Sequence, residues 1–520
     1  MGRDPRQSSH SPLRDIYLNT APVHYLRRRE DYAMSMPLST ILEGVRGTRH
    51  AFQEVEIRGV TCDSRQVQPG WLFIAIPGSK IDGRTFVDEA MKRGAAAVVA
   101  QKPWEEPPGI PTLLVRDARA ALADAAAHFY GQPTTKLNVV GITGTKGKST
   151  TAYLVRAIHE AAGEKCGLLG TIQYAFGHRV MAAPMTTPPS DELQKYFAEM
   201  AEAGCRTAVI EASSHALAQQ RTRGIRFAAG IFTNLQHDHL DYHRTRAEYR
   251  AAKAKLFEQL SERAVAAMNA DDPAAAFFEK HTKARVVRYG LDPSLEVSAA
   301  IEKVTFGGTR ITLKLGIERV AVRSRLVGRH NVYNMLAAAA SAWGMGYDVQ
   351  PIKAGLEKMT AVPGRLEPVD AGQDFSVLVD YAHTEDSLRN VLTALRPLTP
   401  GKLICVFGCG GDRDRAKRPR MGAAADELAD FFILTSDNPR TEDPLAIIKE
   451  VEGGVTNSSK YVTEPDRYAA IKLALSMARK DDTVLVAGKG HEPYQIVGAE
   501  TRPFDDRAAA REILGGMKGR

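Results

Sequence analysis

Apolar residues in this chain come in short dense runs, separated by stretches that repeat them at helical spacing. The first 35 or so residues have neither pattern. "MGRDPRQSSHSPLRDIYLNTAPVHYLRRRE" is polar, basic and aperiodic, which predicts a disordered extension without the apolar segment of a secretory signal. Patterning begins at "MPLSTILEGV". "GWLFIAIPG" and "AAAVVAQ" predict short buried strands flanking a helix in "GRTFVDEAMKRG". "DARAALADAAAHFYGQP" predicts a helix ended by Gly131 and Pro133, which marks a first boundary. A strand over Leu137–Ile142 follows, then a glycine loop and a helix. "CRTAVIEASSHALAQQ" and "FAAGIFTNLQHDHLDYH" repeat the sequence of strand and polar loop. A third series starts near "AVPGRLEPVD", where "FSVLVDYA", "GKLICVFG", "DFFILTSD" and "DTVLVAGKG" alternate with helical stretches such as "EDSLRNVLTALRPL" and "RYAAIKLALSMARK".

Alternating strands and helices predict parallel sheets covered on both faces. The expected class is α/β in three domains: a smaller N-terminal domain at 36–133, a central phosphate-binding domain with a mostly parallel sheet at 134–361, and a Rossmann-like α/β domain at 362–520. A chain of 520 residues fits about three domains at about 100–200 residues each. In such sheets ligands bind beyond the carboxyl ends of the strands, so the loops after "AVIEA" and "IFTN" should share an edge with the glycine loop.

That loop is "GITGTKGKST", residues 141–150. Its glycines, Gly141, Gly144 and Gly147, are offset from the usual G-x-x-x-x-G-K-[ST] spacing. Between a strand and a helix it still predicts a triphosphate cradle, with Gly144, Thr145, Lys146, Gly147, Lys148, Ser149 and Thr150 on the phosphates. Lys148 would reach the terminal phosphates and Ser149 or Thr150 would ligate Mg²⁺. In "EASSHALAQQR", Glu211 ends a strand on the ligand edge and suits Mg²⁺, while Ser213, Gln219 and Arg221 suit an anionic substrate. A capped strand–helix junction would look the same. "TNLQHDHLDYH" crowds five ionisable side chains into seven residues, which fits a hard-cation site beside phosphates, with His239 near Glu211; zinc is the other reading, without HExxH or cysteine ligands. Lys253, in "AEYRAAKAKLFEQL", reads as a solvated lysine on an amphipathic helix.

Composition adds exclusions. At 44% hydrophobic and 25% charged, with no apolar run of about 18 residues, the chain reads as a soluble cytoplasmic protein without a membrane span. Five scattered cysteines without a CxxC pair read as reduced structural thiols. The net charge of +8 is spread along the chain, and no nucleic-acid motif accompanies it, so small anionic ligands explain it and nucleic acid is not expected.

"GITGTKGKSTT", "EASSH", "TNLQHDHLDYH", "YRAAKAKLF", "GRHNVYNMLAA", "PGRLE", "DYAHT", "FGCGGDRDRAKRP", "SDNPRTEDP" and "AGKGHEPYQ", in this order, resemble the Mur ligase family, in particular members that add 2,6-diaminopimelate. The likeness runs from about residue 36 to 515. It implies an ATP- and Mg²⁺-dependent ligase that joins meso-diaminopimelate to UDP-N-acetylmuramoyl-L-alanyl-D-glutamate through an acyl phosphate. By resemblance, Ser64, Ser79 and Lys80 contact the UDP end, and Thr186, Thr187, Ser213, Gln219 and Arg221 the muramoyl-dipeptide. Asn331 and Asn334 match adenine contacts, while Arg365, Asp380 and His383 reach ATP from the third domain. Glu211 and His239 match magnesium ligands, and Lys253 matches a lysine that becomes a carbamate. Arg413, Asp437, Asn438, Pro439, Arg440, Gly488 and Glu492 match contacts to diaminopimelate. Lysine-adding and folylpolyglutamate ligases are the near alternatives, a P-loop regulatory ATPase the distant one. A monomer is expected.

Overall fold

The computed structural model describes residues 35–517 apart from residues 51–52, 79–80 and 237. The basic extension at residues 1–34, together with Ser79 and Lys80, lies outside the described residues.

Among the described residues, three larger sheets organise the chain. The N-terminal one has five strands, in the order Gly47–His50, Thr112–Val115, Ala95–Ala100, Trp71–Ala75 and Gly59–Thr61; all neighbours are parallel except the first pair. Ala118–Phe129 covers it, with Ala118, Ala121, Leu122 and Ala125 turned inward.

The central sheet has eleven strands. Its parallel heart runs Cys166–Leu169, Thr207–Glu211, Asn138–Thr143, Phe227–Phe232, Val265–Asn269 and Arg285–Gly290. Lys148–Ala161 and Arg329–Gly344 pack on one face around Val140, Ile142, Val155 and Met335. Ser190–Glu202 and Arg246–Glu258 pack on the other around Leu193, Phe197, Leu256 and Phe257. The fully buried Ala337–Ala340 run has no bulk to hold its helix away from the sheet. Antiparallel hairpins extend both edges: Gln173–Phe176 with Arg179–Ala182, and Val297–Thr305, Gly308–Leu315 and Glu318–Ser324 in succession. The expected parallel sheet is therefore its middle.

The C-terminal sheet has six strands, in the order Glu367–Pro368, Ser376–Asp380, Thr483–Ala487, Leu403–Phe407, Phe431–Leu434 and Tyr461–Thr463. Only its first pair is antiparallel. Under the loops at its carboxyl edge lies a buried ion pair. Arg467 donates to both carboxylate oxygens of Asp506 at 2.7 Å and to the carbonyls of Ser436 (3.3 Å) and Ala487 (3.0 Å). No helix among the described residues is long and apolar enough to cross a membrane.

The Arg246–Glu258 helix starts at Thr245, whose Oγ1 accepts from the Glu248 N–H at 3.1 Å. Thr245→Ala is expected to lower stability by about 1 kcal/mol, read from the urea midpoint.

Candidate active site

The Asn138–Thr143, Thr207–Glu211 and Phe227–Phe232 strands end level with one another, since Thr143 pairs with Phe232 and Ile142 with Glu211. Their following loops meet at one edge, as the pattern predicted. The 144–147 loop is tight because its neighbours are close. Gly144 has φ +150°, and a Cβ there would collide with Thr233 Oγ1; Gly147 has φ +85°, and a Cβ would strike Asn334 Oδ1. Asn234 fastens the loop, accepting from the Lys146 N–H at 2.9 Å and donating to the Lys146 carbonyl at 3.0 Å. The Lys148–Ala161 helix begins on Gly147, so no side chain caps its first N–H groups, and they remain available to an anion.

Glu211 is buried behind this loop. It accepts from Ser149 Oγ at 3.0 Å, from the Thr171 N–H at 2.8 Å and from Thr171 Oγ1 at 3.0 Å. Ser149 and Glu211 thus present hard oxygen donors side by side, a set that fits Mg²⁺. Among the described residues no three His, Cys, Asp or Glu side chains assemble a metal site, so phosphate oxygens and water would have to complete the shell.

Lys148 Nζ donates to the carbonyls of Gly144 (2.9 Å) and Thr145 (3.0 Å), and Lys253 Nζ reaches the same Gly144 carbonyl at 2.8 Å. Lys253 is 1% exposed, which corrects its reading as a solvated lysine. The buried face of its helix is Tyr249, Ala252, Lys253, Leu256 and Phe257, so the lysine sits within the apolar stripe. Burial, reinforced by the charge of Lys148, holds its pKa well below the ordinary lysine value. Burial also lowers the pKa of Lys148, with Glu211 opposing. The Lys253 amine lies over the Tyr249 ring at 4.4 Å. His239, at φ +54°, stands beside the same tyrosine with ring centres 6.1 Å apart, and edge-on to His215 at 4.9 Å. The structure therefore gathers Lys148, Ser149, Glu211, Lys253 and His239 around the loop.

The other expected residues form neighbouring groups. Thr187 Oγ1 donates to the Glu211 carbonyl at 2.6 Å and accepts from the Ser213 N–H at 3.1 Å. Thr186 Oγ1 lies 3.1 Å from Thr171 Oγ1. Arg221 donates to the Thr187 carbonyl at 2.7 Å, to Gln219 Oε1 at 2.7 Å and to the Met185 sulfur at 3.2 Å. Asn334 donates to Asn331 Oδ1 at 3.0 Å and accepts from Thr151 of the phosphate-loop helix at 3.4 Å. Ser64 stands apart on the N-terminal sheet, donating to Glu89 at 2.9 Å. Its turn is tied to the central domain, since the Cys62 N–H donates to the buried Asp191 at 3.4 Å.

The carboxyl edge of the C-terminal sheet faces the phosphate loop. Charges on Arg365, Asp380 and Asp386 act on Lys146, whose pKa is lowered mainly by burial. Asp380 accepts from the Leu366 N–H at 2.8 Å, and burial raises its pKa against the pull of Arg365. Arg365 lies 4.9 Å over the Tyr381 ring, which packs on His383 at 4.6 Å. Behind them is a second polar pocket. Asn438 Nδ2 donates to Glu492 at 2.9 Å, and Tyr381 OH donates to the other Glu492 oxygen at 3.3 Å. Arg440 donates to the Gly411 carbonyl at 2.8 Å. A Cβ on Gly410 would lie 3.0 Å from the Arg440 guanidinium and 3.8 Å from the Cγ of the exposed Arg413, so the stem of Arg413 passes beside this turn. Gly488 has φ +113°, and a Cβ on it would approach Asp437 to 2.7 Å. Pro439 lines the same turn: a Cβ on Gly411 would meet its carbonyl.

Sequence reasoning missed Thr171, Tyr249, Tyr381 and Lys489. Nothing in the spacing joins Thr171 to Glu211, forty residues away. Tyr249 carried a signal, lying one turn before Lys253 on the same stripe.

Comparison with known proteins agrees with this layout. Family models match at 56–130 (Mur ligase family, catalytic domain), 142–342 (Mur ligase middle domain) and 364–490 (Mur ligase, glutamate ligase domain). A UDP-N-acetylmuramoyl-L-alanyl-D-glutamate–2,6-diaminopimelate ligase of Caldanaerobacter subterraneus subsp. tengcongensis is 44% identical, covering 92% of this chain and 99% of its own. One of Geobacter metallireducens is 46% identical, covering 88% and 95%. A solved structure of a ligase of the same name superposes with a TM-score of 0.68 at 32% identity, covering 93% of this chain and all of that one. Sheet order, phosphate loop and end-to-end likeness agree: the chain belongs to the Mur ligase family.

Proposed function

We propose that the protein is an ATP- and Mg²⁺-dependent ligase that adds meso-diaminopimelate to the D-glutamyl side-chain carboxylate of UDP-N-acetylmuramoyl-L-alanyl-D-glutamate, a cytoplasmic step of peptidoglycan precursor synthesis. Its chief support is the activity named for relatives that match nearly end to end.

The chemistry follows from the leaving group. An amine cannot expel oxide from a carboxylate, so the carboxylate oxygen first attacks the terminal phosphorus of ATP, giving an acyl phosphate and ADP. The amine then adds to the acyl carbon, loses a proton, and inorganic phosphate departs as the amide forms. Bound Mg²⁺ would neutralise phosphate charge, held by Ser149 and Glu211 with His239 nearby. The 144–150 backbone and helix N-terminus orient the phosphates, and Lys148 shifts from its loop carbonyls to the phosphoryl oxygens. Lys253, whose charged form burial disfavours, would take up CO₂ at Nζ with release of one proton, and the carbamate would offer a further oxygen donor to the cation. Asn331 and Asn334 take the base, with Arg365, Asp380 and His383 approaching the nucleotide as the domains close. Thr186, Thr187, Ser213, Gln219 and Arg221 bind the dipeptide, and Ser64, Ser79 and Lys80 the UDP end. Arg413, Arg440 and the 437–439 turn take carboxylates of the incoming amino acid, with Gly488 and Glu492 on its ammonium side.

The test is phosphate release from ATP, Mg²⁺ and the UDP-linked dipeptide, with meso-diaminopimelate or L-lysine added separately. Far more efficient release with diaminopimelate than with lysine is expected. Release with lysine alone would overturn the assignment of the amino acid, and hydrolysis indifferent to both would indicate a regulatory ATPase.

A further inference from the structure

Lys489 is 0% exposed, and an ammonium is buried at high cost unless hydrogen-bonded. Its Nζ donates to Asn438 Oδ1 at 3.0 Å and to Glu492 Oε2 at 3.4 Å. The Ile496 N–H donates to the same Asn438 oxygen at 3.0 Å. Neither group can accept, so together they fix which end of the carboxamide faces them. The amide nitrogen is thereby held on the other side, where one N–H meets Glu492 at 2.9 Å and the second has no acceptor among the described residues. Asn438 immediately precedes Pro439 and Arg440, so its free donor and the guanidinium serve the same turn.

We propose that Lys489 is a positioning residue that locks Asn438 as a donor, and so gives the amino-acid pocket its preference for a side chain ending in a carboxylate. The inference rests on the ligase reading above. Without the ammonium, only the Ile496 N–H and Glu492 hold the sense of the carboxamide, so its remaining N–H is aimed less firmly at a ligand carboxylate. L-Lysine lacks that carboxylate and is indifferent to the change. Tyr381 serves as a contrast, because it holds the other oxygen of Glu492 and leaves Asn438 alone.

Steady-state phosphate release with the full chain tests this. Wild type is measured first with both amino acids; no turnover with meso-diaminopimelate removes the ligase reading and this inference with it. Given wild-type turnover, Lys489→Met is expected to raise KM for diaminopimelate about ten- to a hundredfold. The maximal rate should stay within about threefold and KM for ATP should not move, so preference over lysine falls by the factor gained in KM. Tyr381→Phe should weaken both amino acids alike and leave the preference intact. If Lys489→Met does not fold, Asn438→Asp carries the test: it replaces the donor by an acceptor and should erode the preference in the same direction. An unchanged preference in the variant tested, or a parallel change in KM for all three substrates, overturns the proposal.

Discussion

Lys253→Ala is expected to lower the rate of phosphate release by about a thousandfold, the scale on which one positioned charge-stabilising group acts in a water-excluded site. The argument begins with burial. A lysine at 1% exposure, 2.8 Å from a carbonyl and near a second lysine, gains little from being charged. The neutral amine has the nucleophilic lone pair that CO₂ requires, and the carbamate formed carries the opposite charge to an ammonium. Lys253→Arg separates the two roles, since it keeps a cation and cannot form a carbamate. It should be as slow as the alanine variant. Removing bicarbonate should slow wild type, and a carbamate carbon should appear by NMR after labelling with ¹³CO₂. Alanine or arginine variants within about threefold of wild type would sink the carbamate role.

How much of this was legible depended on whether a signal was local. The phosphate loop was readable because strand, glycines and helix are contiguous. Glu211 was readable because it ends an apolar run on the edge that the alternating pattern implied. Lys253 was misread although its signal was present. Tyr249, Ala252, Leu256 and Phe257 set an apolar stripe at spacings of three and four, and position 253 falls inside it. A charged residue in such a stripe is a buried charge, and its partner, the Gly144 carbonyl, lies more than a hundred residues away. The edge hairpins were missed for a different reason. "TRITLKL" and "ERVAVRS" alternate with a period of two, the mark of an antiparallel ribbon with one wet face, whereas attention to dense apolar runs selects only strands buried on both faces. The second pocket needs three loops from one sheet edge, and only the fold brings Tyr381, Asn438, Lys489 and Glu492 together.

Arg440→Ala is expected to raise KM for meso-diaminopimelate by about a hundred- to a thousandfold, as the loss of one partner from a desolvated charge pair costs about 2–5 kcal/mol. The fold holds this arginine in place before any ligand arrives. Its backbone sits at φ +52°, a conformation that costs a non-glycine residue about 1–3 kcal/mol unless its surroundings impose it. They do so here: the Arg440 N–H donates to the Ile496 carbonyl at 3.1 Å, and the Arg440 carbonyl accepts from the Gly498 N–H at 2.7 Å. The Tyr494–Val497 and Glu500–Pro503 hairpin thus clamps the residue from both sides. One guanidinium nitrogen is committed to the Gly411 carbonyl at 2.8 Å, which fixes the plane of the fork and leaves its other N–H groups for a carboxylate. Arg440→Lys should recover only a small part of the loss, because a point charge on a flexible stem cannot reproduce two parallel hydrogen bonds. KM for ATP should be unchanged in both variants, since the nucleotide groups are assigned to the opposite sheet edge and to Arg365, Asp380 and His383. Lysine should gain nothing: removing the fork deletes a carboxylate contact without creating one for a bare ammonium. A KM for diaminopimelate within about threefold of wild type in Arg440→Ala would move the specificity elsewhere in the pocket, and improved use of lysine would mean that the arginine acts by repelling the ammonium.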